Sequence, residues 1–209
     1  MRSLKHLHRR TLAAVTGGLA ATALAGTALT MGLTAASAST SAPASGRAVS
    51  FALVPSPGIA SCLPHAGGRV TIVPGAENDT MTISVHGMPS RSGFDLFVIE
   101  QPNKPFGVSW YQTDVQADAR GNGFAVVRGI FDAETFSVSP GGTTTFAPTH
   151  QFHLGLWFDN PRTPFKLGCE PGAAAPVVTP FNGEQNAGIQ ALNTGQFPVN
   201  AGPLSRVHR

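Results

Sequence analysis

The chain has 209 residues, of which 14 are Lys or Arg, 11 are Asp or Glu and only 12% are charged. Four of the cations lie within the first ten residues, so 10 cations face 11 anions in the rest, which excludes binding of nucleic acids or anionic membranes through net charge. With 24 Gly and 17 Pro, the sequence contains too many helix breakers for a bundle of long helices.

The N-terminal segment has the pattern of an export signal. Residues 1–10 are cationic, residues 11–35 are uncharged and rich in small residues and Leu, and Ala36-Ser37-Ala38 suits a signal peptidase. We therefore predict cleavage between Ala38 and Ser39, a secreted or envelope-associated protein, and no membrane association after cleavage. An uncleaved anchor is the alternative. Arg9-Arg10 leaves the general secretory and the twin-arginine routes open.

Three segments are expected after cleavage. Small polar residues with Pro43 and Gly46 predict a disordered tether over 39–47. The length of the remainder suits one domain, which we place at 48–204, followed by a short tail at 205–209.

The two cysteines predict one disulfide bond. Cys62 and Cys169 are the only cysteines, and an oxidising compartment would pair them. They enclose 106 residues, for which the loop-entropy model gives a stabilisation of about 4 to 5 kcal/mol. Such a bridge would leave no thiol for catalysis or for zinc.

Short segments with alternating apolar and polar residues, separated by Gly, Pro, Asn and Asp, are typical of half-buried strands. In chain order we predict strands at 49–54, 70–72, 80–86, 94–100, 108–115, 124–131, 134–138, 151–159 and 177–179. Residues 186–192 fit a short helix or a last strand, and we favour the strand. Turn residues at 75–79 and 118–123 predict two hairpins, whereas a calcium loop at 118–123 is disfavoured by Arg120.

The strand pattern predicts an all-β protein. Residues 94–100 are apolar on both faces, as in a central strand, and 151–159 places four large apolar side chains on one face. No alternation of strands with helices is visible. We therefore expect either an antiparallel β-sandwich, of the jelly-roll or immunoglobulin-like kind, or a partly closed barrel.

Four segments carry a resemblance to other proteins. They contain the motifs FDLFV, FGVSWYQTD, HLGLWF and FNGEQNAGIQ, at 94–98, 106–114, 153–158 and 181–190. In these motifs and their order the chain resembles a group of secreted actinobacterial proteins of uncharacterised function, over about residues 49–204. The resemblance implies export and assigns no activity.

The candidate binding residues are aromatic. Trp110, Tyr111 and Trp157 combine a large apolar surface with a polar group, as do residues that stack on sugars or anchor partners. Because the sequence lacks a serine-hydrolase motif, a phosphate-binding loop and a dinucleotide fingerprint, we expect no catalytic residue and no cofactor. The chain is interpreted as a binding or structural module for an unknown extracellular or cell-wall ligand.

Two alternatives remain open. The first is a carbohydrate-active hydrolase, which needs two carboxyl groups in a cleft and could use Asp95 with Asp114 or Glu184. The second is a metal-binding protein that uses His65, His86 or His153 with a carboxylate. We expect no metal from the pair His150 and His153, because residues three apart on a strand point to opposite faces.

Overall fold

The structure, a computed structural model, describes residues 46–131, 137–138, 141–142, 144–146, 153–180 and 186–208. The strands of this part are β1 (Val49–Pro55), β2 (Gly67–Val73), β3 (Asp79–His86), β4 (Gly93–Ile99), β5 (Ser109–Gln116), β6 (Gly123–Gly129), β7 (Ser137–Val138), β8 (Thr144–Phe146), β9 (His153–Phe158), β10 (Thr179–Pro180), β11 (Asn186–Ala187) and β12 (Gln190–Asn193). Helix is limited here to α1 (Arg162–Lys166) and a 3₁₀ turn (Pro203–Arg206). The all-β prediction is confirmed.

Eight strands form one antiparallel sheet in the order β5-β4-β9-β12-β1-β2-β3-β6. β1 joins its two halves, because Val49–Leu53 pairs with β2 whereas Val54 and Pro55 pair with β12. The outermost strands, β5 and β6, meet at a bridge between Ala117 and Gly123, so the sheet is nearly closed. Of the two predicted architectures, the partly closed barrel describes this sheet.

The main hydrophobic core lies inside this curved sheet. On β3 the residues Met81, Ile83 and Val85 point inward and are buried, while Ser84 and His86 between and after them are exposed. Full burial of each such side chain contributes about 1.5 to 3 kcal/mol. The predicted alternation of this strand therefore places its apolar face in the core.

β9 is buried on both faces. Leu154, Leu156 and Phe158 point into the main core. On the opposite face, Trp157 belongs to a second buried cluster, which we call the outer cluster. Its members, with two half-buried phenylalanines, are Phe97, Ile99, Phe106, Trp157 and Ala187. The prediction for 151–159 holds for 153–158, and residues 151–152 lie outside the described part.

The first predicted hairpin is confirmed, since β2 and β3 pair from Gly67 with His86 to Val73 with Thr80. Its turn is held by the buried Asp79, whose carboxylate accepts hydrogen bonds from the backbone N–H of Gly75 (3.3 Å) and of Phe131 (2.7 Å). The second hairpin differs from the expectation. β5 and β6 are bridged only next to the turn, at Ala117 and Gly123. Beyond the turn β5 pairs with β4, and β6 pairs with β3.

The turn between β5 and β6 is built on Asp118. Its side chain accepts hydrogen bonds from the N–H groups of Arg120 (2.7 Å) and Asn122 (2.9 Å), and these bonds lower the pKa of Asp118. Gly121 has a φ of 78°, which favours glycine. The carboxylate therefore serves the turn, as the sequence reading favoured over a calcium loop.

Some predicted elements are shifted or fall outside the described residues. The strand expected at 177–179 is Thr179–Pro180, and that at 186–192 is interrupted at 188–189 to give β11 and β12. Of 134–138 only Ser137–Val138 is described. The export signal, the Ala38–Ser39 cleavage site and most of the tether lie outside the described part. At the other end, Val207 is buried in the main core.

The predicted disulfide bond is present between Cys62 and Cys169, whose Cα atoms are 5.2 Å apart. It joins the loop between β1 and β2 to the segment after α1.

We predict that the double variant Cys62→Ala/Cys169→Ala loses about 4 kcal/mol of unfolding free energy, because its unfolded chain regains the freedom that the bridge removes. Denaturant unfolding measures the loss. Reductant should produce a similar loss in the parent chain and none in the double variant. A difference below about 1 kcal/mol would contradict the prediction.

Candidate functional site

A row of polar side chains crosses four neighbouring strands on the outer face of the sheet. Asp114 on β5 is the register partner of Asp95 on β4, and Asp95 is in turn the partner of Trp157 on β9. Trp157 is the partner of Gln190 on β12. Because side chains alternate along a strand and Leu96 points into the main core, Asp95 points outward.

Asp95 is a buried carboxyl group with 0% exposure, and its oxygens accept no hydrogen bond from a donor among the described residues. Burial raises its pKa to about 7, and the charge and carboxyl oxygen of Asp114, followed by the charge of Asp159, add to this increase. Two ionised carboxylates have no donor between them, but a protonated Asp95 can donate to Asp114. The arrangement therefore favours one shared proton.

Two further groups surround this carboxyl pair. The hydroxyl of Tyr111 donates a hydrogen bond of 2.8 Å to Asp114, and partial desolvation of the hydroxyl together with this bond raises the pKa of Tyr111 to about 12. The carboxylate of Asp159 lies directly against Gly93, where a Cβ atom would overlap it. Burial, with a contribution from Asp114, raises the pKa of Asp159. Because Asp95, Asp114 and Asp159 lie in one cluster, repulsion between their negative charges favours a state in which one of them stays protonated.

Trp157 is the centre of the outer cluster and is 4% exposed. Its ring makes edge-to-face contacts with Phe97 (5.4 Å between centroids) and Phe106 (4.9 Å). The six-membered ring leans over Gly155, where a Cβ would overlap it. Glycine at this position is therefore required for the tryptophan to lie flat on the sheet.

A cavity of about 530 Å³ adjoins this cluster. Trp157 and Gln190 line it from the sheet, and the other lining residues come mainly from three loop segments, 56–58, 103–106 and 169–179. A second cavity of about 350 Å³ shares Phe106, Trp157 and Thr179 with the first. The Phe106–Trp157 contact thus lies where the two cavities adjoin.

The orientation of Gln190 is determined by a hydrogen-bond network. The Oδ1 of Asn193 accepts from the N–H of Gly195 (2.8 Å), so its Nδ2 must be the atom that donates to the carbonyl of Pro102 (2.9 Å). This Nδ2 also lies 2.9 Å from the Oε1 of Gln190, which accepts from Ser56 as well (2.9 Å). The Nε2 of Gln190 therefore points away from the network and has no partner among the described residues.

The disulfide bond holds two walls of the 530 Å³ cavity together. Cys169 itself lines the cavity, next to Glu170 and Pro171, and Cys62 belongs to the loop that begins with the lining residues Ser56–Gly58. Glu170 accepts a hydrogen bond of 2.8 Å from the N–H of Val177 through Oε2. The disulfide bond and the Glu170–Val177 hydrogen bond hold the segment 169–179 in place. This segment forms one wall of the cavity, and the loop that contains Cys62 forms another.

The three predicted aromatic residues do not share one face. Trp110 is the register partner of Val98 and packs against the main core. Tyr111 lies on the outer face and is 46% exposed, and Trp157 lies on the same face but is buried. Alternation along β5 explains why Trp110 and Tyr111 diverge.

The histidines proposed for a metal site do not form a metal-binding group in the described ranges. His153 is buried, and its ring nitrogens bond to the hydroxyl of Thr194 (2.9 Å) and the carbonyl of Val199 (3.1 Å). Burial lowers its pKa, which favours the neutral ring. His65 and His86 are exposed, and within the described ranges no three His, Cys, Asp or Glu residues form a metal-binding group. His150 lies outside those ranges.

The carboxylate pair proposed for a hydrolase is brought together in part. Asp95 and Asp114 are neighbours, as the alternative required, but neither lines either of the two cavities. Glu184 lies outside the described residues. Sequence reasoning did not single out Gln190, Glu170 or Phe106, because each becomes notable only through the packing of distant segments around Trp157.

Comparison with known proteins does not identify the chain. The sequence matches no protein-family model and no curated protein. In the part of the chain that the structure describes, no helix is long and apolar enough to cross a membrane. The interpretation of the site therefore depends on its own geometry.

We predict that Asp95→Asn stabilises the protein at pH 8 by about 2 to 4 kcal/mol, because the carboxamide removes a buried charge. The folded pKa of about 7 exceeds the ordinary Asp value of 3.8, so the native state binds more protons between these values. The stability contribution of Asp95 is complete below pH 3.8 and is lost as the pH rises through 7. The advantage of the variant should therefore vanish near pH 4.

Denaturant unfolding across this pH range measures the effect. Asp118→Asn is the matched control, since it removes a carboxylate with the opposite pKa shift and should gain no stability at pH 8. An equal effect of Asp95→Asn at pH 4 and pH 8 would show that the carboxyl group of Asp95 does not titrate in this range.

Proposed function

We propose that this protein is a non-catalytic binding module that holds a small ligand, or a segment of a larger one, in the cavity beside Trp157. The single observation that carries the proposal is the cavity itself. Its volume of about 530 Å³ lies within the range of about 300 to 1,000 Å³ that is common for ligand sites. Aromatic and aliphatic walls with a few polar groups are also typical of such sites.

The geometry supports binding better than hydrolysis. Glycoside hydrolases hold their two carboxyl groups about 5 Å or more apart so that substrate or water fits between them. Asp95 and Asp114 are instead register partners on adjacent strands, Asp95 is fully buried, and neither residue lines either of the two cavities. This position favours a structural role over attack on a substrate.

The compartment and the partner belong to the same proposal. A disulfide bond is compatible with an oxidising environment, as the N-terminal pattern predicts. We place the protein in the extracellular or cell-envelope space, with an extracellular or cell-wall ligand as its partner. The resemblance to secreted actinobacterial proteins and the exclusion of nucleic acids stay predictions.

The proposal predicts that Gly58→Leu blocks ligand binding without unfolding the protein. Gly58 lines the cavity, and a Cβ atom there would meet nothing within 4 Å, so the larger side chain can occupy the cavity instead of straining the backbone. Gly141→Leu is the matched control, because its Cβ is equally unobstructed and Gly141 lines neither cavity.

The measurement uses the full chain with its disulfide bond intact, in a Trp110→Phe background that leaves Trp157 as the only tryptophan. N-acetyl-leucinamide, N-acetylglucosamine oligomers and n-octanol are titrated, and the fluorescence of Trp157 is recorded. We expect saturable binding of at least one probe, at least tenfold weaker in Gly58→Leu and unchanged in Gly141→Leu. The proposal fails if no probe binds, or if Gly58→Leu binds as well as the parent.

A further inference from the structure

The buried residues that line the 530 Å³ cavity turn polar atoms away from its space. The Nε1 of Trp157, the Nε2 of Gln190 and the Oε1 of Glu170 are inaccessible, although all three residues line the cavity. The hydroxyl of Ser56 donates to the Oε1 of Gln190 (2.9 Å). The surface left to a ligand here is that of the Trp157 ring, the methylene groups of Gln190 and the side chain of Ile189. A ligand therefore gains from burying hydrocarbon on this floor.

The apolar lining continues to the rim of the cavity. Pro57, Pro171 and Val177 line the cavity and are exposed, so they lie where it opens to solvent. Val177 is 37% exposed and the adjacent Val178 is 48% exposed. Residues 171–180 contain no charged side chain. An elongated apolar ligand can therefore stay in contact with hydrocarbon from the floor to the rim.

One cationic side chain stands at the rim. Lys104 is exposed, and it is the only Lys or Arg among the described residues that line the cavity. Glu170, the one acidic residue of that lining, has its carboxylate in the wall. Its Oε2 accepts the hydrogen bond from the N–H of Val177, and its Oε1 is inaccessible. The charge that a ligand meets at the opening is therefore positive, which favours an anionic group there.

We infer that the cavity binds the alkyl chain of a single-chain aliphatic carboxylate, with the chain beside Trp157 and the carboxylate near Lys104. A water molecule takes about 30 Å³ of liquid volume and a methylene group takes a similar volume, so 530 Å³ admits a chain on the order of 10 to 15 carbons. One such chain fits, and the two chains of a bilayer lipid do not. This inference rests on the function proposed above.

A sugar or a peptide backbone suits this lining less well. Each carries hydroxyl or amide groups, whose burial is unfavourable unless new partners replace the water that they lose. The side-chain nitrogens of Trp157 and Gln190 are inaccessible, so they cannot replace that water. An alkyl chain has no such groups to bury.

The test uses the full disulfide-bonded chain in the Trp110→Phe background, with the fluorescence of Trp157 as the readout. Butanoate, hexanoate, octanoate and decanoate are titrated as a series of increasing chain length. Octylammonium has as many carbons as octanoate but carries the opposite charge. N-acetylglucosamine oligomers and vesicles of phosphatidylglycerol are the competing ligands.

Two pairs of variants accompany these probes. Lys104→Glu reverses the charge at the rim, and Lys166→Glu is its matched control, because Lys166 is also exposed and lines neither cavity. Gly58→Leu fills the cavity, and Gly141→Leu is the control described above. Near-ultraviolet circular dichroism checks the fold of each variant.

We expect one octanoate to bind per chain, and the affinity to rise about fourfold with each methylene group from butanoate to decanoate, because each group buries more hydrocarbon. The parent chain should prefer octanoate to octylammonium at least threefold. Lys104→Glu should reverse this preference and Lys166→Glu should keep it. Gly58→Leu should weaken octanoate binding at least tenfold. If Lys104→Glu fails to fold, the preference of the parent chain decides the question.

The outcomes separate this inference from the proposed function. An affinity that does not rise with chain length overturns the inference, as does a head-group preference that Lys104→Glu leaves unchanged. Binding of the sugar oligomers or of the vesicles in place of octanoate also overturns it. In each of these cases the binding function stands if Gly58→Leu blocks the probe that binds. If no probe binds, or if Gly58→Leu blocks none of them, both are overturned.

Discussion

β9 is buried on both faces, and this double burial shapes both the core of the sheet and the cavity beside Trp157. The inner face of β9, with Leu156, completes the core of the curved sheet. Its outer face carries Trp157, a large apolar side chain whose removal from water stabilises the fold. Phe97 and Phe106 cover that tryptophan only in part, since two cavities remain beside it. The cavity therefore arises where loops cover the outer face of an already complete barrel-like sheet.

The disulfide bond has a second role in this arrangement. Loops that cover a sheet have few apolar contacts of their own, so their order depends on local ties. The Cys62–Cys169 bridge connects two of the covering segments, and Glu170 binds the backbone of Val177 within one of them. Stabilisation of the fold and construction of the cavity wall thus come from the same covalent bond.

Polar groups on the outer face fall into two physically different sets. The side chains of Asn193 and His153 have partners for their polar atoms, which fixes their orientation. Asp95 is in the opposite situation, since burial and neighbouring carboxylates favour its neutral form. A satisfied hydrogen-bond network thus lies on the same face as a buried carboxyl group whose surroundings favour its protonated form.

The all-β class, the disulfide bond and most of the strands follow from local features of the sequence. Alternation such as that of Met81, Ile83 and Val85 is a local property of the chain, and two cysteines allow only one intramolecular pairing. The choice of a barrel-like sheet, the separation of Trp110 from Trp157 and the meeting of Gln190 with the segment at Glu170 were decided only by the tertiary structure. These features depend on which strands pair across long stretches of chain, and strand pairing is set by the combined burial of all faces, which no local pattern contains.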